Sequence, residues 1–357
     1  MEVLENLRRV LRAHKDALGS EVALVKAIAD AAQGIGSIER RKLRAILGSD
    51  RRDSDIPLRF SELQVLHAYL LSRGIGGFGS LLTGPTLLRS VADRRKVAFL
   101  VPSKQLPLEG TTAVIHWDLR AMIAILRELE RIDPGINIIV EDVLLREDPV
   151  TVLNDSLGDQ TWLKLLTGED APSLICIGSP RANHAAEILL SKMYNIPPFS
   201  PSESPRSLPF RFFWQTEKKP SSFTVTDNEL IAHRQKLERF TVWGRCSAVL
   251  VRSDKDEECL VIDRDEASQQ WTTHGVIAAQ RQENGQLWVV VAGLEGPASL
   301  GAAKEVASLE GIPDGEVMQY YVTHEVRIEN APPGLKRDAR ELGALLQKRR
   351  WFLNRAS

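Results

Sequence analysis

Three cysteines in 357 residues, Cys176, Cys246 and Cys259, are too few and too far apart for a disulfide framework. No CxxC pair and no neighbouring histidine cluster accompanies them, which argues against a metal site; they read as reduced thiols of a cytoplasmic protein. Charge of one sign is missing too. The formal net charge is −1, so no global field draws the chain to nucleic acid or to an anionic membrane, and any such contact must come from a local patch. Apolar runs such as "LWVVVAGL" are far too short to span a bilayer, and the charged, amphipathic start "MEVLENLRRVLRAHKD" is not a signal peptide. Nucleotide fingerprints are absent: there is no G-x-x-x-x-G-K-[ST] loop, and no G-x-G-x-x-G follows a strand. That argues against a P-loop ATPase and a standard NAD dehydrogenase. Neither a G-x-S-x-G elbow nor a Ser-His-Asp order appears.

What is present is an ordinary globular composition, 43% hydrophobic and 26% charged, at a length natural for two domains. Residues 1–90 read as all-helical. In "SEVALVKAIADAAQ" the residues Val25, Ile28, Ala29 and Ala32 fall on one helical face, with Ser20 as N-cap. "GIGS" breaks the pattern, Ser37 is the next expected cap, and a third helix ends near Gly74. The glycine-rich "IGGFGSLLTGP" reads as a linker.

Residues 91–357 change texture. "KVAFLVPS", "INIIVEDVLL", "SLICIGS" and "LWVVVAGL" are strands alternating with helices, the pattern of a mostly parallel sheet covered on both faces. "SAVLVRSDKDEECLVIDRD" reads as an antiparallel hairpin and "RFFW" as an edge strand. "NIPPFSPSESPRSLPF", with five prolines and four serines, reads as a long loop or lid. The tail "GLKRDARELGALLQKRRWFLN" is basic and amphipathic. The fold class expected is α/β: a helix-turn-helix-like domain over 1–90, then a Rossmann-like, mostly parallel sheet domain with an antiparallel hairpin over 91–357.

From Ser37 to Arg52 six basic residues face two acidic ones, an excess of four positive charges. Arg40, Arg41, Lys42 and Arg44 are the candidate DNA contacts, because closely spaced helical residues share an exposed arc that attracts phosphates. The segment from Ser20 to Gly74, carried by "LVKAIADAAQGIGSIERRKLRAIL", resembles the helix-turn-helix domains of phage-repressor-type bacterial regulators. The resemblance implies duplex DNA as partner and a homodimer. A plain helical bundle with a solvated basic face, or a protein-docking module, is the alternative.

Two strand–glycine–helix corners are the candidate ligand site. "GSPRAN" supplies Gly178, Ser179, Arg181 and Asn183; "GLEGPAS" supplies Gly293, Gly296 and Ser299. At such corners helix amides and close backbone approach suit a small anionic ligand, here nucleotide-like; no firm cofactor and no metal is implied. The bland reading is that glycines end strands in every α/β protein. Trp117, in "VIHWDLRAM", is placed to line the same crevice, with Asp118 as N-cap. Glu141 and Asp142 fall in a strand expected to be buried. Glu187, in the helix after "GSPRAN" with His184 one turn before it, resembles the helix-borne glutamate of nucleoside deoxyribosyltransferase-like and NAD-cleaving enzymes. That resemblance makes Glu187 catalytic in an alternative, enzymatic reading; the competing one is a surface glutamate. His274 and His324 read as structural.

Overall fold

The computed structural model describes residues 2–32, 37–47, 60–73, 86–105, 112–144, 161–168, 170–200, 208–214, 221–225, 247–252, 257–262, 264–265, 270–312, 316–328 and 340–351. The chain divides between Thr86 and Leu87 into two compact units.

The first unit is helical in its described residues: α1 (Glu2–Leu18), α2 (Glu21–Ala31), α3 (Arg40–Leu47) and α4 (Phe60–Ser72). Ser20 caps α2, its hydroxyl accepting from the Ala23 amide at 3.1 Å. Leu11, Leu24, Ile28, Leu43, Leu66 and Tyr69 are buried in one core. The α3 helix starts at Arg40, three residues past Ser37, so Ser37 is not its cap. Its last carbonyls are instead met from α1: Arg8 Nε donates to Ile46 O and Arg12 Nε to Leu47 O. Those are carbonyls a helix end leaves without an intrahelical donor, and cations suit the negative end of the dipole. The "GIGS" break, the "IGGFGSLLTGP" linker, Arg51 and Arg52 lie mainly or wholly outside the described residues.

The second unit is mixed α/β. It opens with α5 (Leu87–Ala92), whose Leu87 and Val91 join the α/β core, so this helix goes with the sheet and not with the helices before it. The main sheet holds β1 (Lys96–Gln105), β2 (Thr112–Val114), β3 (Asn137–Leu144), β4 (Ser173–Ile177), β8 (Arg264–Asp265), β9 (Gln270–Arg281), β10 (Leu287–Gly293), β11 (Val317–Ile328) and β12 (Arg340–Trp351). The order across it is β12-β11-β9-β10-β4-β1, with β3 and β2 beside β1 and β8 beside β9. Only β10/β4, β4/β1 and β1/β3 are parallel; β9, β11 and β12 extend the sheet antiparallel. The sheet is therefore mixed and not mostly parallel as expected: among the described residues three of its strand pairs are parallel and five antiparallel. The "basic amphipathic" tail contributes an edge strand, β12, because the long β11 gives it a partner.

Three helices follow or flank the parallel strands: α6 (His116–Ile132) after β1, α7 (His184–Tyr194) after β4 and α8 (Gly296–Glu305) after β10. Strand alternation sorts the core by face. Val97, Phe99, Ile175, Ile177, Val289 and Val291 pack with α5, α6 and α8. Ala98, Leu100, Leu174, Cys176, Trp288 and Val290 pack with α7 and with a second sheet. That second sheet is antiparallel and three-stranded, β5 (Phe210–Trp214), β6 (Ser247–Arg252) and β7 (Glu257–Val261), so the hairpin and the "RFFW" edge strand form a layer of their own.

The strand β3 lies at an edge, with β1 as its only sheet neighbour among the described residues. This corrects the expectation for Glu141 and Asp142. They are half-buried and exposed respectively, and Asp142 Oδ2 accepts from the Ser103 hydroxyl at 3.1 Å. An edge position removes the cost of burying two acids.

Candidate functional site

The connections leaving β1 and β10 put their helices on one face of the sheet, and the connection leaving β4, which lies between them, puts its helix on the other. Where neighbouring connections diverge in this way, α/β sheets gather ligands at the carboxyl ends of the strands. Both glycine corners are on this rim. Ile177 is in register with Val291, and the Gly178 amide donates to Val291 O at 2.9 Å. Gly178 has φ +105°, a conformation that favours glycine.

The chain itself occupies much of the space that these corners offer. Gly293 is in register with Gly275 on β9, and the pair leaves a bare patch against which α8 docks. A Cβ on Gly293 would meet Ser299 N at 2.3 Å, and one on Gly275 would meet Ala298 O at 2.8 Å. The close approach expected between Gly293 and a ligand is made by the α8 backbone. Gly296 receives the Trp117 ring, and Gly301, further along the same helix, receives His324. Ser299 is buried in α8, and Ser179 is buried in a turn whose carbonyl takes the Ala182 and Asn183 amides. Arg181 is half-buried.

Asn183 is fully buried and uses its whole amide. Its Nδ2 donates to Leu100 O at 3.1 Å and to Ile177 O at 2.7 Å; its Oδ1 caps α7 by accepting from Ala185 N at 3.0 Å. One side chain thus ties the ends of β1 and β4 to the start of the helix between them. The anion-attracting amides at the start of α7 already have this partner. At the start of α8 stands Glu295, whose carboxylate accepts from Trp271 Nε1 at 2.6 Å and from Arg340 at 3.2 Å.

Glu187 is wholly enclosed, not on the surface. Oε1 accepts from the amides of Phe199 and Ser222 at 2.9 and 2.8 Å, and Oε2 from the Ser221 hydroxyl at 2.7 Å. Burial raises its pKa despite these donors. The carboxylate pins residues 195–200 and 221–225 onto α7, and Phe199 is held at φ +57°. Part of the serine- and proline-rich segment is therefore packed, while residues 201–207 lie outside the described residues. His274 is a tie of the same kind, joined to Thr323 Oγ1 and Val261 O, both at 2.9 Å.

Asp118 behaves differently. It is the third residue of α6, whose N-cap is Ile115, so it does not cap the helix as its sequence position suggests. Helical side chains lean toward the N-terminus, which here is the rim. Asp118 is only 4% exposed and accepts no hydrogen bond from a side chain or amide among the described residues, yet its oxygens are not among the fully buried polar atoms left without a partner. Burial raises its pKa to about 7, against the pull of the Lys104 ammonium nearby, and its charge in turn helps raise the Cys176 thiol. Lys104, at the end of β1, is exposed. Trp117 beside it is buried on Gly296, with the guanidinium groups of Arg120 and Arg340 at 4.7 and 5.6 Å from its ring centroid. The signal for Asp118 in the sequence was an acid one turn inside a helix whose capping position held an isoleucine.

In the helical unit the basic arc is internally paired. Arg40 and Arg44 both reach Glu21, at 2.6 and 2.9 Å, with about half of each arginine side chain exposed, 51% and 46%. Lys42 turns inward onto both oxygens of Glu62 at 2.8 Å, and Arg41 is exposed. α2 ends at Ala31 and α3 begins at Arg40, with residues 33–36 between them outside the described residues.

Among the described residues no group of three or more His, Cys, Asp or Glu side chains is placed to hold a metal ion, and no helix is long and apolar enough to cross a membrane. Comparison with known proteins gives no matching family model, no matching curated protein and no matching solved structure.

Proposed function

We propose that this protein is a DNA-binding regulator whose α/β unit takes a small nucleotide-like ligand at the rim where β1, β4 and β10 end. The observation that carries the reading is Asp118. A carboxylate of such low exposure with no protein donor among the described residues is held at a cost in free energy, and a ligand that supplies donors would offset it. Its position at diverging strand connections makes a bound small molecule that donor. Ser179, Arg181 and Trp117 border the same rim.

The helical unit supplies the DNA contact through Arg40, Arg41 and Arg44. Glu21 holds Arg40 and Arg44 side by side, and phosphate oxygens can replace it at an exposed pair worth little in water. Lys42, turned onto Glu62, stands behind this surface and fixes α3 to α4. A homodimer doubles these contacts.

Two measurements test the reading with the full chain. Intrinsic fluorescence of Trp117 is expected to change on titration with nucleotides, and this change is expected to weaken in Asp118→Asn. Duplex DNA is expected to shift in a gel with affinity falling steeply with salt, and Arg40→Ala with Arg44→Ala to lower both affinity and salt slope. Unchanged DNA affinity in the double variant would remove α3 from the interface.

A further inference from the structure

Asp118 and Lys104 together say more about the ligand than a helix start alone. Asp118 is 4% exposed and accepts no hydrogen bond from a side chain or amide among the described residues, while its oxygens are not among the fully buried polar atoms, so that a molecule at the rim can meet them. It therefore calls for donors and cannot receive a phosphate. Lys104, within electrostatic reach of it, is exposed and makes no ion pair among the described residues. α6 is a 17-residue helix whose N-cap, Ile115, offers no side chain to its first amides. Asp118, one turn in, is the buried polar group aimed at that same end. One small region thus presents a little-exposed acceptor and an exposed ammonium within electrostatic reach of it, and the two are complementary to a molecule with donors at one end and negative charge at the other.

A carboxylate has two oxygens and accepts best from two donors side by side. Resting on the ligand-binding reading above, we propose that the rim beside α6 holds a phosphorylated molecule by a pair of adjacent hydrogen-bond donors, received by Asp118, with its phosphate directed to Lys104 and the open amides of α6. The donor pair is either a ribose-like vicinal diol or the donor edge of a guanine-type base. Neither alternative needs a metal or a co-reactant, since the step is binding alone.

Equilibrium binding to the full chain separates the outcomes, using adenosine monophosphate, its 2′,3′-dideoxy form, guanosine monophosphate and unphosphorylated adenosine as probes. A buried group built to pair with a donor rejects analogues that lack it. The diol form of the proposal gives adenosine monophosphate at least tenfold tighter binding than the dideoxy form. The guanine form gives guanosine monophosphate at least tenfold tighter binding than adenosine monophosphate. In either case the preference shrinks to within about threefold in Asp118→Asn, while Lys104→Ala removes most of the advantage of the monophosphate over adenosine. Thermal melts of both variants establish that they are folded. If the nucleotides bind but show no such preference, or keep it in Asp118→Asn, the donor-pair assignment is wrong while the ligand reading stands. If no probe binds, the ligand reading itself falls, and this proposal with it.

Discussion

The indole of Trp117 lies on the backbone of Gly296, so closely that a Cβ added to the glycine would come within 2.4 Å of the ring's Cγ. This contact joins the helix after β1 to the helix after β10. The groups involved are the Cβ, Cγ and Cδ1 of Trp117; the Cβ is fixed to the backbone, so turning the ring does not relieve the contact as moving the tip of a long side chain would.

Gly296→Ala is therefore expected to destabilise the α/β unit. Alanine favours a helix over glycine by about 1 kcal/mol at most, and less at a helix start. Overpacking a core site costs about 1–3 kcal/mol, so the clash outweighs the propensity gain. Chemical denaturation should show the loss, with a shift in tryptophan emission as the ring moves toward water. Equal or greater stability would mean that α6 and α8 adjust freely against each other.

Asn183 offers a test of whether the rim is held by a cap or by a bridge. Asn183→Ala removes the cap of α7 and leaves Leu100 O and Ile177 O without their donor, together about 2–4 kcal/mol. Aspartate is as good an N-cap as asparagine, but its carboxylate cannot donate to two carbonyls. Asn183→Asp is expected to rescue little of the loss in urea denaturation. Full rescue would reduce Asn183 to an ordinary cap.

How far the sequence discloses this arrangement depends on the kind of signal. β4 and β10 are legible because strands buried on both faces are nearly continuous apolar runs, Ser173–Ile177 and Leu287–Gly293. The start of α2 is legible because Ser20 is a local cap. β9 and β12 are hidden. Nine of the twelve residues of β12 are Arg, Lys, Glu, Leu or Ala, a helix-like mixture, and pairing with the distant β11 makes it a strand. The two corners are recognisable as strand–glycine–helix turns, but not the use made of their glycines. Gly293 serves α8 because Gly275 lies opposite it, a relation of register that no local window contains. Asp118 is hidden for a similar reason. Its position suggests a cap, whereas its burial depends on the neighbouring strands.

The enclosure of Glu187 predicts different outcomes for two substitutions. In Glu187→Gln the amide oxygen can keep the Phe199 and Ser222 amides while the new NH₂ donates to the Ser221 hydroxyl, so the fold is retained. Glu187→Ala leaves two buried amides without an acceptor and should cost about 3 kcal/mol or more. The pKa of Glu187 is raised in the folded state, so its carboxyl favours folding below the unfolded value of 4.5 and progressively less as pH rises through the folded value. Glu187→Gln should flatten that part of the stability profile. A steeper profile, or a glutamine variant as damaged as the alanine one, would contradict the clamp.

Asp118 should reveal itself as a residue kept at the expense of stability. Its carboxyl titrates near 3.8 when unfolded and at about 7 when folded, chiefly because burial disfavours the charge. The folded state therefore holds the proton more tightly, and stability falls as pH climbs from about 4 to about 7. The difference of roughly three pH units corresponds to about 4 kcal/mol between the two ends of that window. Asparagine is nearly isosteric and uncharged, so Asp118→Asn should remove the slope and be the more stable protein at pH 8, by up to that amount. The wild type should recover part of the difference when a donor-bearing ligand occupies the rim, since binding to the folded state alone adds its own free energy. Urea denaturation of both proteins from pH 4 to pH 8, with and without adenosine monophosphate, measures each of these. Parallel profiles for the two proteins would show that the Asp118 carboxyl is solvated in the folded state, and the argument that a ligand completes it would lose its physical basis.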